Sequence, residues 1–166
     1  SELNLKIKFR ESFRPFAPSV LEHHCKNWFN LNQSSPYMLV VSEVNTNKLI
    51  KQKSEQKSLS SINNKRSVIP GVTHIDNTAR VQTVNKNTNK KFYELIEEFY
   101  NLTKTPILIN TSFNVRGEPI VCTPKDAFKC FMGTDLDLLI IENFVLEKEK
   151  QKSSLIKDYK KEFSLD

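Results

Sequence analysis

With 166 residues the chain can build one domain around a substantial core and is short for two of ordinary size. Hydrophobic residues make up 38% and charged residues 27%, which argues against global disorder, and no apolar run approaches the ~18 residues a membrane span needs. Lys and Arg number 25 against 19 Asp and Glu, and the resulting +6 suits nucleic acid, nucleotide phosphates or another anionic ligand.

The chain does not begin with Met and carries no signal-peptide pattern, which reads as a fragment or a processed piece of a cytoplasmic protein. Cys25, Cys122 and Cys130 are odd in number and lack metal-ligand spacing, so reduced, buried thiols are expected. Leu3 to Phe9 alternates apolar with polar residues, which predicts a half-buried strand with Lys6, Lys8 and Arg10 on one face. Pro18 reads as the first residue of a helix reaching Phe29, with Val20, Leu21, His24, Cys25, Trp28 and Phe29 on its buried stripe. Tyr37 to Val44 is apolar and rich in strand formers, and predicts a central strand.

Thr46 to Ser67 is Lys, Ser, Asn and Gln with few apolar residues, which predicts a long, mobile surface loop over 46–67. Val72, His74 and Asp76 alternate against Thr73 and Ile75, predicting a strand, a turn at Asp76 and Asn77, and a second strand over Ala79 to Val84. Phe92, Leu95, Ile96, Phe99 and Leu102 recur at helical spacing, so Lys91 to Leu102 is expected to be a helix. Thr123 as cap, Pro124 as first residue and Asp126 as third mark another helix start, with Gly133 at its end. Leu138 to Ile141 and Phe144 to Leu146 read as short strands about Asn143, and 149–166 as a charged tail. The mixture without strict alternation predicts an α/β or α+β-like mixed open sheet with flanking helices, in one domain over 1–148.

Three polar clusters could carry chemistry. Lys8, Arg10 and Arg14 are three cations interleaved with Phe9, Phe13 and Phe16, and fixed charges on an apolar base suit phosphate or carboxylate capture; a solvated strand face is the plainer alternative. His74 and Arg80 flank a turn whose Asp76, Asn77 and Thr78 can satisfy their own backbone. Asn110, Ser112 and Asn114 alternate after the buried run Pro106 to Ile109, so an extended backbone puts three neutral donors on one face, where they suit a polar, planar ligand. No G-x-S-x-G elbow, P-loop or G-x-G-x-x-G is present, so any chemistry rests on positioning and charge stabilisation.

The strings "IKFRESFRPFAPSVL", "SPYMLVV", "IPGVTHIDNTARVQTV" and "ILINTSFNVRGEPIVCTPKDAF" together resemble the C-terminal domain of the O-carbamoyltransferases, a family of nodulation and antibiotic-tailoring enzymes. The resemblance implies a YrdC-like domain that converts carbamoyl phosphate and ATP, with Mg²⁺, to carbamoyladenylate. An N-terminal actin-like (ASKHA) domain, absent from this chain, would then transfer the carbamoyl group to a small-molecule acceptor hydroxyl. It also implies roles: Lys8, Arg10, Arg14 and Arg80 on phosphates and developing charge, Asn110, Ser112 and Asn114 on carbamoyl group and nucleotide, and His74 in support. Lys8, Arg14, Arg80 and Ser112 would be the catalytic members. Asn77 stands where the family usually has Gly. A non-catalytic RNA-binding module is the rival reading, weakened because the aromatics are spaced as core residues, without a stacking platform.

Overall fold

Ala17–Leu21 is buried at every position, a pattern shared by a strand covered on both faces and by a buried helix; here it is a strand, β1. The computed structural model containing it describes residues 2–51, 64–156, 158, 159, 162 and 163. The chain folds as two compact units, one of Pro15–Thr111 and the other of Ser1–Arg14 with Ser112–Asp166.

In the unit Pro15–Thr111, β1 is followed by a short helix α1 (Cys25–Trp28), β2 (Val40–Glu43), β3 (Thr78–Val84), helix α2 (Lys90–Thr103) and β4 (Ile107–Asn110). The sheet order is β2-β3-β1-β4. β1 runs parallel to β3, with Ser19 opposite Gln82, and antiparallel to β4, with Ala17 opposite Asn110. β2 is antiparallel to β3. This is the expected mixed open sheet. Val20 packs with Trp28, Phe29, Val81 and Ile107. Leu21, next in the strand and so on the opposite face, packs with Val84 and Ile96 of α2.

Four expectations are corrected in this unit. The helix expected from Pro18 to Phe29 is β1, a 3-10 turn at Glu22–His24, and the one-turn α1. Val20, Leu21, Cys25, Trp28 and Phe29 are buried as expected and His24 only partly; the geometry was missed because a strand buried on both faces shows no period of two. The strand expected over Tyr37 to Val44 shrinks to β2 and lies at the sheet edge; Met38 turns through the left-handed region at φ 58, and Tyr37 and Leu39 are exposed. The strand expected around His74 is a 3-10 turn, Pro70–Val72, and a tight turn in which the His74 amide donates to the Thr78 carbonyl at 2.7 Å. Asn77 closes that turn at φ 65, a conformation Asn tolerates better than most side chains, so the departure from Gly is accommodated. Leu95 and Leu102 of α2, expected on the buried stripe, are exposed.

Residues 52–63 of the loop expected to be mobile lie outside the described residues. Its ends are paired: the Ile50 amide donates to Arg66 O at 2.8 Å and the Val68 amide to Lys48 O at 2.9 Å.

The other unit begins with a π-helical turn, Leu3–Lys8, that stops where Phe9 adopts φ 50. This replaces the expected strand. Asn4 and Lys8, four apart, face inward, while Leu5 faces solvent. Internal hydrogen bonds override the hydrophobic alternation: Asn4 Nδ2 donates to Arg14 O at 2.7 Å, and Asn4 Oδ1 accepts from Arg10 Nε at 2.7 Å. Helix α3 (Pro124–Gly133) starts with the expected capping box between Thr123 and Asp126. A hairpin of β5 (Leu138–Ile141) and β6 (Phe144–Glu147) follows. Ala127, Phe131 and Met132 of α3 pack on Leu139 of the hairpin, and Val115, Cys130 and Tyr159 form a second cluster. Among the described residues no helix is long and apolar enough to cross a membrane.

Candidate functional site

β4 ends at Asn110, so the alternation expected to carry Asn110, Ser112 and Asn114 onto one face stops at the first of them. Ser112 and Asn114 instead curl around Lys8. The lysine is 5% exposed, and its Nζ donates to Ser112 O and Asn114 O, each at 2.7 Å, and to Asn114 Oδ1 at 2.9 Å. Ser112 Oγ in turn donates to Asn114 Oδ1 at 2.7 Å. Burial, reinforced by the charge of Arg10, holds the Lys8 ammonium below the usual lysine range.

The loop then closes on Glu118. Gly117 takes φ 78, a left-handed conformation where a Cβ would be strained, and the chain turns so that Glu118 Oε2 accepts from the Val115 amide at 2.8 Å. Asn114 Nδ2 donates to Glu118 O at 2.7 Å. Arg116, within this turn, reaches Glu11 at 3.6 Å, and Arg14 reaches the other oxygen of Glu11 at 3.7 Å. Glu11 is held below the usual carboxylate range first by its own backbone hydrogen bond and further by the charges of Arg14, Arg116 and Arg10. Two guanidiniums thus pair with one exposed carboxylate that the charge of a third, Arg10, also reaches, an arrangement able to receive a second anion through planar, bidentate donors.

His74, Arg80 and Asn110 belong to the unit Pro15–Thr111. His74 Nδ1 lies 3.0 Å from Thr78 Oγ1, which donates to Asp76 Oδ1 at 2.7 Å; that bond holds the Asp76 carboxyl low. Arg80 is exposed on β3, and its guanidinium makes no hydrogen bond or ion pair among the described residues. Asn110 Nδ2 donates to Gln82 Oε1 at 2.7 Å, and the same oxygen accepts from buried Ser19 Oγ at 2.5 Å. The described residues assemble no group of three His, Cys, Asp or Glu side chains able to hold a metal.

Sequence reasoning missed Arg116, Glu118 and Gln82. For Arg116 and Glu118 the available signal was a base and an acid on either side of Gly117. For Gln82 the signal was its alternation with Arg80 along a strand.

These features define a mixed α/β protein in which a near-buried lysine organises a loop of neutral donors beside an arginine cluster. Residues 1–148 match the family described as Carbamoyltransferase C-terminus, and the chain belongs to that family. It is 51% identical over its full length to an uncharacterized protein of Synechocystis, covering 28% of that relative. It is 40% identical to Nodulation protein NolNO of Sinorhizobium fredii over 88% of the chain and 19% of the relative. Nodulation protein NolO of Bradyrhizobium diazoefficiens is 38% identical over 88% of the chain and 24% of its own length. The chain therefore spans less than a third of each of these relatives. Lys8, Arg10, Arg14, Arg116 and the Ser112 to Glu118 loop all fall within the family match.

Proposed function

We propose that this chain is the part of a carbamoyltransferase that binds ATP and carbamoyl phosphate and joins them as carbamoyladenylate. A separate N-terminal actin-like domain then passes the carbamoyl group to an acceptor hydroxyl. Family membership supports the carbamoyl chemistry. The observation that carries the nucleotide is the meeting of Arg10, Arg14 and Arg116 around Glu11, because guanidiniums match phosphate oxygens in charge and in geometry.

In this reading water cleaves carbamoyl phosphate to carbamate and inorganic phosphate, a carbamate oxygen then attacks the α-phosphorus of ATP, and pyrophosphate leaves. The arginines take up the charge that grows on the phosphoryl oxygens. Ser112 and Asn114 orient the planar carbamoyl group by neutral hydrogen bonds. Lys8, with its ammonium engaged by the loop, acts by fixing that loop. Arg80, Asn110 and His74, on the unit Pro15–Thr111, keep the substrate-contact roles that the family resemblance implies for them. The described donor set offers no acidic cluster for a metal, so Mg²⁺ would be carried on the nucleotide phosphates.

Calorimetric titration with MgATP and with carbamoyl phosphate tests this. Arg14→Ala and Arg116→Ala should each weaken MgATP binding about tenfold, the scale of one charged hydrogen-bonding contact. Equal binding by wild type and both variants overturns the site assignment. Binding of duplex RNA with a steep salt dependence, and none of ATP, replaces the reading with nucleic-acid recognition.

A further inference from the structure

We infer that Tyr159 is a positioning residue: acting through Glu118, it latches the C-terminal end of the chain onto the loop that carries Ser112, Asn114 and Arg116.

Tyr159 lies beyond the family match, which ends at residue 148, and is nevertheless 3% exposed. Its hydroxyl donates to Glu118 Oε1. The other carboxylate oxygen accepts from the Val115 amide at 2.8 Å, and the Glu118 carbonyl accepts from Asn114 Nδ2 at 2.7 Å. Glu118 therefore joins the tyrosine to Asn114 and Val115 of the loop. An aromatic ring in a charged tail would have no reason to be buried unless a place were built for it, and Gly133 builds one. A Cβ at Gly133 would come within 2.6 Å of Tyr159 Cβ and Cδ2 and would also meet Cγ, so the last residue of α3 must be bare for the ring to pack. Gly133 is needed there for space and not for a left-handed backbone. Phe163 adds an edge-on contact with the ring at 5.0 Å between centroids.

The link to ligand binding rests on the proposed function; the latch itself does not. Two variants of the full chain separate them. Tyr159→Phe keeps the ring against Gly133 and removes only the hydroxyl, while Gly133→Ala drives the ring away. In Tyr159→Phe, amide hydrogen exchange at Val115 and Arg116 should quicken about tenfold while exchange in β5 and β6 is unchanged. Gly133→Ala should give at least the same increase; if it does not fold, Tyr159→Phe decides alone. Unchanged exchange at Val115 and Arg116, or an equal rise throughout β5 and β6, makes Tyr159 an ordinary core residue and overturns the inference. Where wild type binds MgATP, Tyr159→Phe should weaken it several-fold; unaltered affinity overturns the positioning role. Wild type that ignores ATP overturns the proposed function, while the exchange result still decides the latch.

Discussion

The ammonium of Lys8 lies 2.7 Å from the main-chain carbonyl oxygen of Ser112, a residue 104 positions further along the chain. A charged donor aimed at backbone oxygens in a near-dry setting fixes loop shape as surely as a disulfide fixes spacing, and its removal leaves carbonyls unpaired. Lys8→Met keeps the apolar stem and deletes the donors, so it should cost ~1–3 kcal/mol in denaturant unfolding. Arg at this position should not restore stability, because a planar fork cannot direct one nitrogen at three converging oxygens.

Lys8 also sets a sign for pH dependence. Its pKa in the folded chain is lowered by burial and by Arg10, so the unfolded chain binds that proton more tightly. Stability attributable to Lys8 therefore rises as pH climbs from the lowered folded value towards the ordinary lysine value. The difference in unfolding free energy between wild type and Lys8→Met should grow across this window and be flat below it.

Glu11 is the internal competitor for the three arginines. Glu11→Gln should therefore tighten MgATP binding by about two- to fivefold, the range expected of one exposed ion pair, and steepen its salt dependence. Weaker binding would mean that Glu11 is needed to hold the guanidiniums in place.

The thiols differ in access. Burial pushes Cys25 up to about 11, and burial with the charge of Glu118 pushes Cys130 up to about 12, whereas Cys122 is exposed, against the expectation of three buried thiols. Alkylation near pH 8 followed by mass spectrometry should label Cys122 alone in the folded chain and all three in denaturant, since the thiolate is the reactive form.

At α3, Thr123 Oγ1 accepts from the Asp126 amide and the Asp126 carboxylate accepts from the Thr123 amide. Thr123→Ala should cost ~1 kcal/mol in thermal or denaturant unfolding. The Thr123 hydroxyl is the largest influence holding Asp126 below the usual carboxylate range. That contribution is complete above the unfolded carboxylate value and fades as pH falls through the folded one, so wild type and Thr123→Ala should converge in acid.

What could be read in the sequence was what is determined locally. The Thr123, Pro124 and Asp126 start, the helical spacing of Phe92, Ile96 and Phe99, and the turn before Phe144 are decided within a few residues, and all appear in the structure. β1 escaped because Val20 and Leu21 are buried on opposite faces, which erases the period that marks a strand. The first turn escaped because the apolar alternation of Leu3, Leu5 and Ile7 lost to hydrogen bonds made by Asn4 and Lys8 with distant partners. For the site, the residue types around Lys8 and Ser112 were legible, but the direction of Lys8 was not: no local pattern says that an ammonium will turn to carbonyls instead of an incoming phosphate. Tyr159 was hidden for the same reason, since its partner Glu118 lies 41 positions away.

The discontinuity of the unit Ser1–Arg14 with Ser112–Asp166 imposes an order on synthesis. When the first turn leaves the ribosome, the oxygens that will receive its lysine have not been translated, and the unit Pro15–Thr111, contiguous in sequence, is complete earlier. Until the last third of the chain emerges, the Lys8 ammonium lacks the carbonyls of Ser112 and Asn114. Any truncation or stalled chain ending before Ser112 would therefore lack the oxygens that receive Lys8, so the length at which translation stops decides whether the polar site can exist at all.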